Sequence, residues 1–246
     1  MSKFQIGAKP EHRPQEHLFV LKSVIALQIF SNKPIFISLY DISKFFDRES
    51  LRDCLNEVHK CRIKGKLYRL LYNLNKNTRI SVLTPVGVSE ECDTGETVGQ
   101  GTLEGAVISA VSLDKGVEDY FGGSEDEVCY AGLRLQPLLF QDDISRLAND
   151  PASLQAGNDR LEVMAETKLL DLNLEKSGYM IVGKNKASQQ IIEQLLSNPV
   201  TLCGKPMNCV SEAKLLGDWL SEKGLSECVA TTVKKRKGIT IASIYV

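Results

Sequence analysis

"LLFQDDISRLA", residues 138–148, sets two adjacent carboxylates, Asp142 and Asp143, between two apolar runs. The flanks have the composition of buried strands, so the stretch reads as a hairpin with its charge at the turn. Taken alone, an Asp-Asp pair there is ordinary turn chemistry, because Asp bonds its own backbone and tolerates turn geometry.

Outward from the turn, "VCYAGLRLQPLLF" and "ISRLAN" read as the two strands of that hairpin. Asp150-Pro151 then opens a helix, with an acceptor at the cap and proline at the first helical position, running to about residue 171. "KPIFISLYDI" (33–42) and "SGYMIVG" are further strands, and "TLEGAVISAVSLDKGVEDYF" (102–121) is a strong helix that stops at Gly122-Gly123. "QEHLFVLKSVIALQIF" (15–30) has helical apolar spacing. An insert at 48–98 holds helical patterns at 48–63 and 65–75, then extended segments in "TRISVLTPVGV". The remaining order is β, α, β, β, α, β. It predicts an α+β fold of the split βαβ (ferredoxin-like) kind: one antiparallel sheet with two helices on one face. A helix "KASQQIIEQLLS", a hairpin around "CGKPMNC", a strand "KLLGDWL" and a basic helix over 226–246 complete the list.

In that topology the end of "PIFISLYD" approaches the hairpin turn, which brings Asp41 beside Asp142 and Asp143. Three carboxylates in one cleft repel unless a cation neutralises them, and burying unpaired charge costs several kcal/mol. Hard divalent ions take such oxygen donors, and Mg²⁺ combines one or two carboxylates with substrate phosphates and water. A pair of ions about 3.5–4 Å apart serves in-line phosphoryl displacement.

Composition sets the bounds. The chain has 246 residues, 43% of them hydrophobic, which suits one large domain. It has no apolar run of about 18 residues and no apolar core after the first lysine, so the expectation is no membrane segment and an intracellular protein, nucleus or cytoplasm left open. Seven scattered cysteines lack metal spacing and read as reduced thiols, with Cys203 and Cys209 flanking a turn where they could face each other. The net charge of −1 hides segregation. No acid lies between Glu57 and Glu90, whereas Lys60, Arg62, Lys64, Lys66, Arg69, Lys76 and Arg79 crowd that interval, and "KKRK" occupies 234–237. A solvated helix face is the usual meaning of such a run, but it also suits a surface that follows phosphates.

"FISLYDISKFFD", "VGQGTLEGAVIS", "LLFQDDISRLA", "LNLEKSGYMIVGK" and "AKLLGDWL" occur in the order and at roughly the spacing of the successive palm motifs of reverse transcriptases. The chain resembles that family from about residue 5 to about residue 225, most nearly the non-LTR retrotransposon type. The resemblance implies an RNA-directed DNA polymerase that adds deoxynucleotides to a primer 3′ end by two-metal phosphoryl transfer. Its implied partners are RNA template, DNA primer and dNTP; its cofactor is two Mg²⁺ ions, with Mn²⁺ as the alternative. Position by position, Asp41, Asp142 and Asp143 match the metal-binding aspartates. Phe46 matches the bulky residue against the sugar, Gln100 and Gly101 the Gln-Gly pair of the nucleotide pocket, and Lys176 a lysine near the triphosphate. Leu216-Gly217 resembles the hairpin that grips the primer. Lys60, Arg62, Lys64, Lys66 and Arg69 are the candidate nucleic-acid-binding cations.

The resemblance divides the chain into a reverse-transcriptase domain at 1–225, with partial fingers at 1–32 and a palm at 33–225, and a basic helix at 226–246 that reads as the start of a thumb or a truncated end. Little sequence is left for fingers and thumb, so the expectation is a fragment whose missing fingers and thumb come from another segment or chain; whether it belongs to a longer polyprotein stays open. Some positions depart from the family: Gln141 stands where many members have alanine, Glu96 and Gly99 replace arginines before Gln-Gly, and "TLEGA" lacks the usual proline. Asp47 precedes a helix at 48 and reads as its N-cap rather than a ligand. Trp219 reads as a core residue before a stacking one. Two alternatives stay open: an inactive remnant of the fold, inert or binding nucleic acid through the basic segment, and a dinucleotide loop at "VGQGTLEG". The second is disfavoured because its third glycine comes one position late.

Overall fold

The computed structural model describes residues 1–76, 78–93, 97–130, 132–183 and 186–224, with no account of side chains at 186–189. Glu96 and the basic helix expected at 226–246 lie outside the described residues.

The order is α1 (Pro14–Ser31), β1 (Ile35–Tyr40), α2 (Phe45–Arg48), α3 (Leu51–Lys60), α4 (Gly65–Asn75), α5 (Leu103–Phe121), β2 (Leu138–Phe140), β3 (Asp143–Ala148), α6 (Pro151–Thr167), β4 (Gly178–Val182), α7 (Lys186–Ser197), β5 (Asn208–Cys209), β6 (Glu212–Leu215) and β7 (Asp218–Ser221). Short strands of two or three residues fill the connections. The main sheet runs β5-β4-β1-β3-β2. β1 is antiparallel to both β3 and β4, with Ile37 opposite Leu147 on one side and Met180 on the other. β5 joins parallel at the edge of β4.

Alternation along β1 assigns its side chains to two cores. Phe36 and Tyr40 join Ile144, Ala148 and Ile181 under α5 and α6, which contribute Leu113, Val117, Leu154 and Leu161. Ile35 and Ile37 join Leu147, Met180 and Val182 under α1, through Leu18, Leu21, Val24 and Ile25. The expected helix pair does share one face, but α1 covers the other. That second cover is why β1 is an almost unbroken apolar run, as in any strand buried on both sides.

Several local expectations are corrected. The hairpin before the carboxylates is shorter than "VCYAGLRLQPLLF": Val128–Tyr130 pairs with Leu133–Leu135 as a separate ribbon, and only Leu138–Phe140 pairs with β3. Pro137 has no N–H for a continuous ladder, and Gly132 turns at φ 78°. The helix after Asp150 is capped as expected, the carboxylate accepting from Ser153 N–H at 2.8 Å, but it ends at Thr167, and Leu169 reverses the chain at φ 57°. "KLLGDWL" is no single strand. It folds back as β6 and β7 about Leu216 and Gly217, both at positive φ (50° and 81°), the backbone a two-residue hairpin requires. Cys203 and Gly204 form another such turn, so Cys203 does not face Cys209, which pairs beside Tyr179 in the sheet. The six described cysteines are free thiols.

Candidate functional site

Asp41 follows the last residue of β1, where the chain leaves the sheet. Its N–H donates to Ser177 Oγ at 3.1 Å, and its carbonyl accepts from Asn173 N–H at 2.9 Å, so the 173–177 loop holds it from below. The neighbouring strand ends at the two-residue loop Gln141-Asp142, closed by the pairing of Phe140 with Asp143. Gln141 takes φ 57°, which reverses the chain so that Asp142 and Asp143 emerge beside Asp41.

These carboxylates border two cavities. One, of about 690 Å³, is lined by Asp41, Lys44, Phe46, Asp47, Gln100, Asp142, Asn173 and Lys176 among others. The second, of about 350 Å³, is lined by Asp41, Asp143, Lys176 and the β6 residues Glu212–Leu215. Asp41 and Lys176 belong to both, whereas Asp142 faces the first and Asp143 the second.

The electrostatics are those of crowded acids. Burial first, then the charge of Asp41, raises the Asp142 carboxyl above its usual range, against the opposing pull of its own backbone N–H and of Lys176. Burial, then Asp142 and Asp41, pushes Asp143 up to about 6. Lys176 Nζ stands 3.8 Å from Asp41 Oδ2, with its side chain 70% exposed. Among the described residues no three His, Cys, Asp or Glu side chains are drawn together as a ready-made metal cage. The donor set still suits a hard cation, since all its members are carboxylate oxygens whose mutual repulsion an added positive charge would relieve.

The other positions singled out in the sequence divide into those at the cavities and those elsewhere. Phe46 lines the larger cavity and packs edge-on against buried Phe45, with ring centroids 5.3 Å apart. Gln100 is on the same wall, and Gly101 beside it turns at φ 83° without lining the space. Leu216 packs on the α1-side core, and the hairpin it caps is tied to α1 by Lys22 and Asp218 at 2.6 Å. Trp219, half-buried on β7, lies opposite Lys214. Lys60, Arg62, Lys64, Lys66 and Arg69 are all exposed on α3, α4 and their connection. Lys60 pairs with Glu57 at 2.9 Å and borders a third cavity, with Glu49, Cys54 and Lys168, that shares no lining residue with the carboxylate cavity.

Six residues at the larger cavity carry no site role in the sequence reading: Ile42, Ser43, Lys44, Phe45, Asp47 and Asn173. Asp47 is a correction. Ser50 caps α3, accepting from Asp53 N–H at 3.3 Å, and Asp47 sits within the short α2 with its side chain at the cavity. The signal was Ser50 itself, a better-placed acceptor three residues before an acid.

Comparison with solved structures gives the fold. Apo telomerase from Candida tropicalis superposes with a TM-score of 0.57 at 10% identity, covering 89% of this chain and 36% of that one. The same enzyme truncated from its C-terminal domain gives 0.57 at 8%, covering 89% and 39%. The fold is reverse-transcriptase-like. Telomerase from Candida albicans, solved in complex with a TWJ fragment of telomeric RNA, shares it at a TM-score of 0.53 and 12% identity, covering 82% and 32%. The chain thus spans between about a third and two fifths of the length of these structures. No protein-family model and no curated protein matches the sequence. No described helix is long and apolar enough to cross a membrane.

Proposed function

We propose that this chain is a reverse-transcriptase domain, of the non-LTR retrotransposon kind, that adds deoxynucleotides to a DNA primer on an RNA template. The observation that carries the proposal is convergence: Asp41 and Phe46, Gln100, Asp142 and Lys176 come from four separate segments to one cavity, and Asp143 borders the adjoining one. Asp41, Asp142 and Asp143 would hold divalent cations, Mg²⁺ or Mn²⁺, which when bound stabilise the attacking and leaving oxygens of phosphoryl transfer. Until then Asp142 and Asp143 resist ionisation, for the reasons of burial and repulsion given above.

The remaining residues orient the substrates. Lys176 makes a long ion pair with Asp41 and is exposed enough to turn toward a triphosphate. The Phe46 ring, braced by Phe45, forms a wall against which a 2′-deoxy sugar packs and a 2′-hydroxyl is crowded. Gln100 and Gly101 supply a polar group and open backbone at the nucleotide. The Leu216-Gly217 hairpin, whose strand β6 lines the Asp143 cavity, is placed to hold a primer end. Primer extension on an RNA template with Mg²⁺ tests the proposal. Incorporation by the native chain and none by Asp142→Asn with Asp143→Asn is expected; equal signals from both would refute it.

A second reading rests on the exposed cations and on the absence of a ready-made metal cage among the described residues. In it the domain binds nucleic acid through Lys60, Arg62, Lys64, Lys66 and Arg69 without catalysis. Salt-dependent RNA binding with no incorporation would favour it, because phosphate contacts weaken as salt rises.

A further inference from the structure

The turn that presents the carboxylates is gripped by a segment more than 130 residues away in sequence. Residues 4–6 lie alongside β2 as a parallel neighbour: Leu139 N–H donates to Phe4 O at 2.9 Å, and Ile6 N–H donates to Leu139 O at 3.1 Å. Ser2 fixes the start of this segment to α5 through Asp114, a buried carboxylate.

Past Ile6 the segment closes over the turn itself. Gln5 is fully buried. Its side-chain oxygen accepts from Gly7 N–H at 2.8 Å, and its amide nitrogen reaches the Gln141 carbonyl at 3.5 Å. Gly7 is packed so tightly against the turn that an added Cβ would fall inside 3.0 Å of the Gln141 nitrogen and 3.1 Å from its Cγ. With its amide oriented to satisfy both neighbours, Gln141 donates to the Ala106 carbonyl at 3.3 Å and accepts from Ala8 N–H at 3.1 Å. The side chain therefore leads from the turn into α5 and the N-terminal segment. Gln141 is also the residue whose left-handed backbone sets the direction of Asp142.

We infer that residues 4–8 form a clasp that sets the position of the Asp142-Asp143 turn, with Gln5 and Gly7 as positioning residues acting through Gln141. The inference deepens the proposed function and rests on it for its kinetic consequence. A non-glycine residue at positive φ is strained and persists only where its surroundings fix it, so an outside grip on Gln141 decides where the turn's carboxylates stand. An error of about 1 Å in such a group costs on the order of 100-fold in rate.

The experiment uses the full chain and two variants, Gly7→Ala and Gln5→Ala. Single-nucleotide incorporation on RNA with Mg²⁺ is measured with amide hydrogen exchange over 139–144 and thermal melting. In Gly7→Ala, kcat falls about 100-fold while KM for the dNTP stays within about threefold, and the amides of 141–143 exchange faster. Gln5→Ala moves the same quantities by about 10-fold in kcat, and decides the matter alone if Gly7→Ala does not fold. The inference is overturned if both variants keep wild-type kcat, or if kcat falls only in step with the melting temperature while exchange at 141–143 matches that of wild type. Should the native chain incorporate no nucleotide, the polymerase reading fails by itself. The clasp is then judged by exchange: faster at 141–143 upholds it, unchanged rejects it.

Discussion

The carboxylate turn and the insert that follows α2 are built on opposite plans. The turn projects from strands whose side chains are buried on both faces, and its neighbours in space come from residues 4–8, 106 and 173–177. The insert is held by a smaller core, in which α3 and α5 share Leu51, Leu55, Val58, Ile108 and Val111. Its outer side is apolar as well as basic: Leu67, Leu70 and Leu74 follow helical spacing on α4 at about half exposure, and Leu83 and Val86 on the next ribbon are 82% and 97% exposed. A site that must hold like charges together is thus fixed by long-range order, whereas the insert is a platform whose interactions face outward.

The largest test of that contrast is chemical. Asp142→Asn with Asp143→Asn removes more than about 10³-fold of nucleotide incorporation, yet raises the melting temperature, because two half-buried acids no longer repel. Loss of activity accompanied by lower stability would contradict it.

Next in size, Phe36→Ala, on the central strand β1 with no exposed surface, destabilises the chain by about 3–5 kcal/mol in denaturant titration. Leu70→Ala on the insert changes stability by less than about 0.5 kcal/mol. Similar costs at both positions would erase the distinction drawn above.

Two buried groups give opposing pH dependence. Burial pushes Glu49, which joins α2 to α3, up to about 7. Its folded form therefore keeps a proton that the unfolded chain releases, and stability falls as pH rises from 4.5 to 7. Burial lowers His17 on α1 to about 4, so stability falls as pH drops from 6.5 to 4. Each effect is about 3 kcal/mol at full extent. Relative to the native chain's profile in denaturation across this range, Glu49→Gln should remove a contribution that falls with pH and His17→Gln one that rises with pH; profiles identical to the native one would show that burial does not control these groups. The smallest effect concerns the platform: Lys64→Ala, Lys66→Ala and Arg69→Ala together lower the logarithmic salt slope of RNA binding by about 2. An unchanged slope would assign phosphate contact to other residues.

The core elements were legible because their signals are local. The Asp150 cap and the β1 run each announce themselves within a few residues. So does the convergence of Asp41 with the Asp-Asp turn, once strand order is known. What stayed hidden depends on distant partners. Nothing in "QIGA" reveals that it backs the turn, since the tie is a glycine packed against the backbone nitrogen of Gln141. The assignment of Asp47 to a cap failed because one acceptor, Ser50, was three residues further on. The second cover of the sheet was hidden too, as α1 is apolar around most of its circumference and does not mark which side faces inward.

One carboxylate, Asp41, is a wall of both chambers. Occupancy on the two sides is consequently linked through a shared charge. A cation gathered on one side alters the field on the other, and the coupling is reciprocal: whatever factor the first ligand imposes on the second, the second imposes on the first.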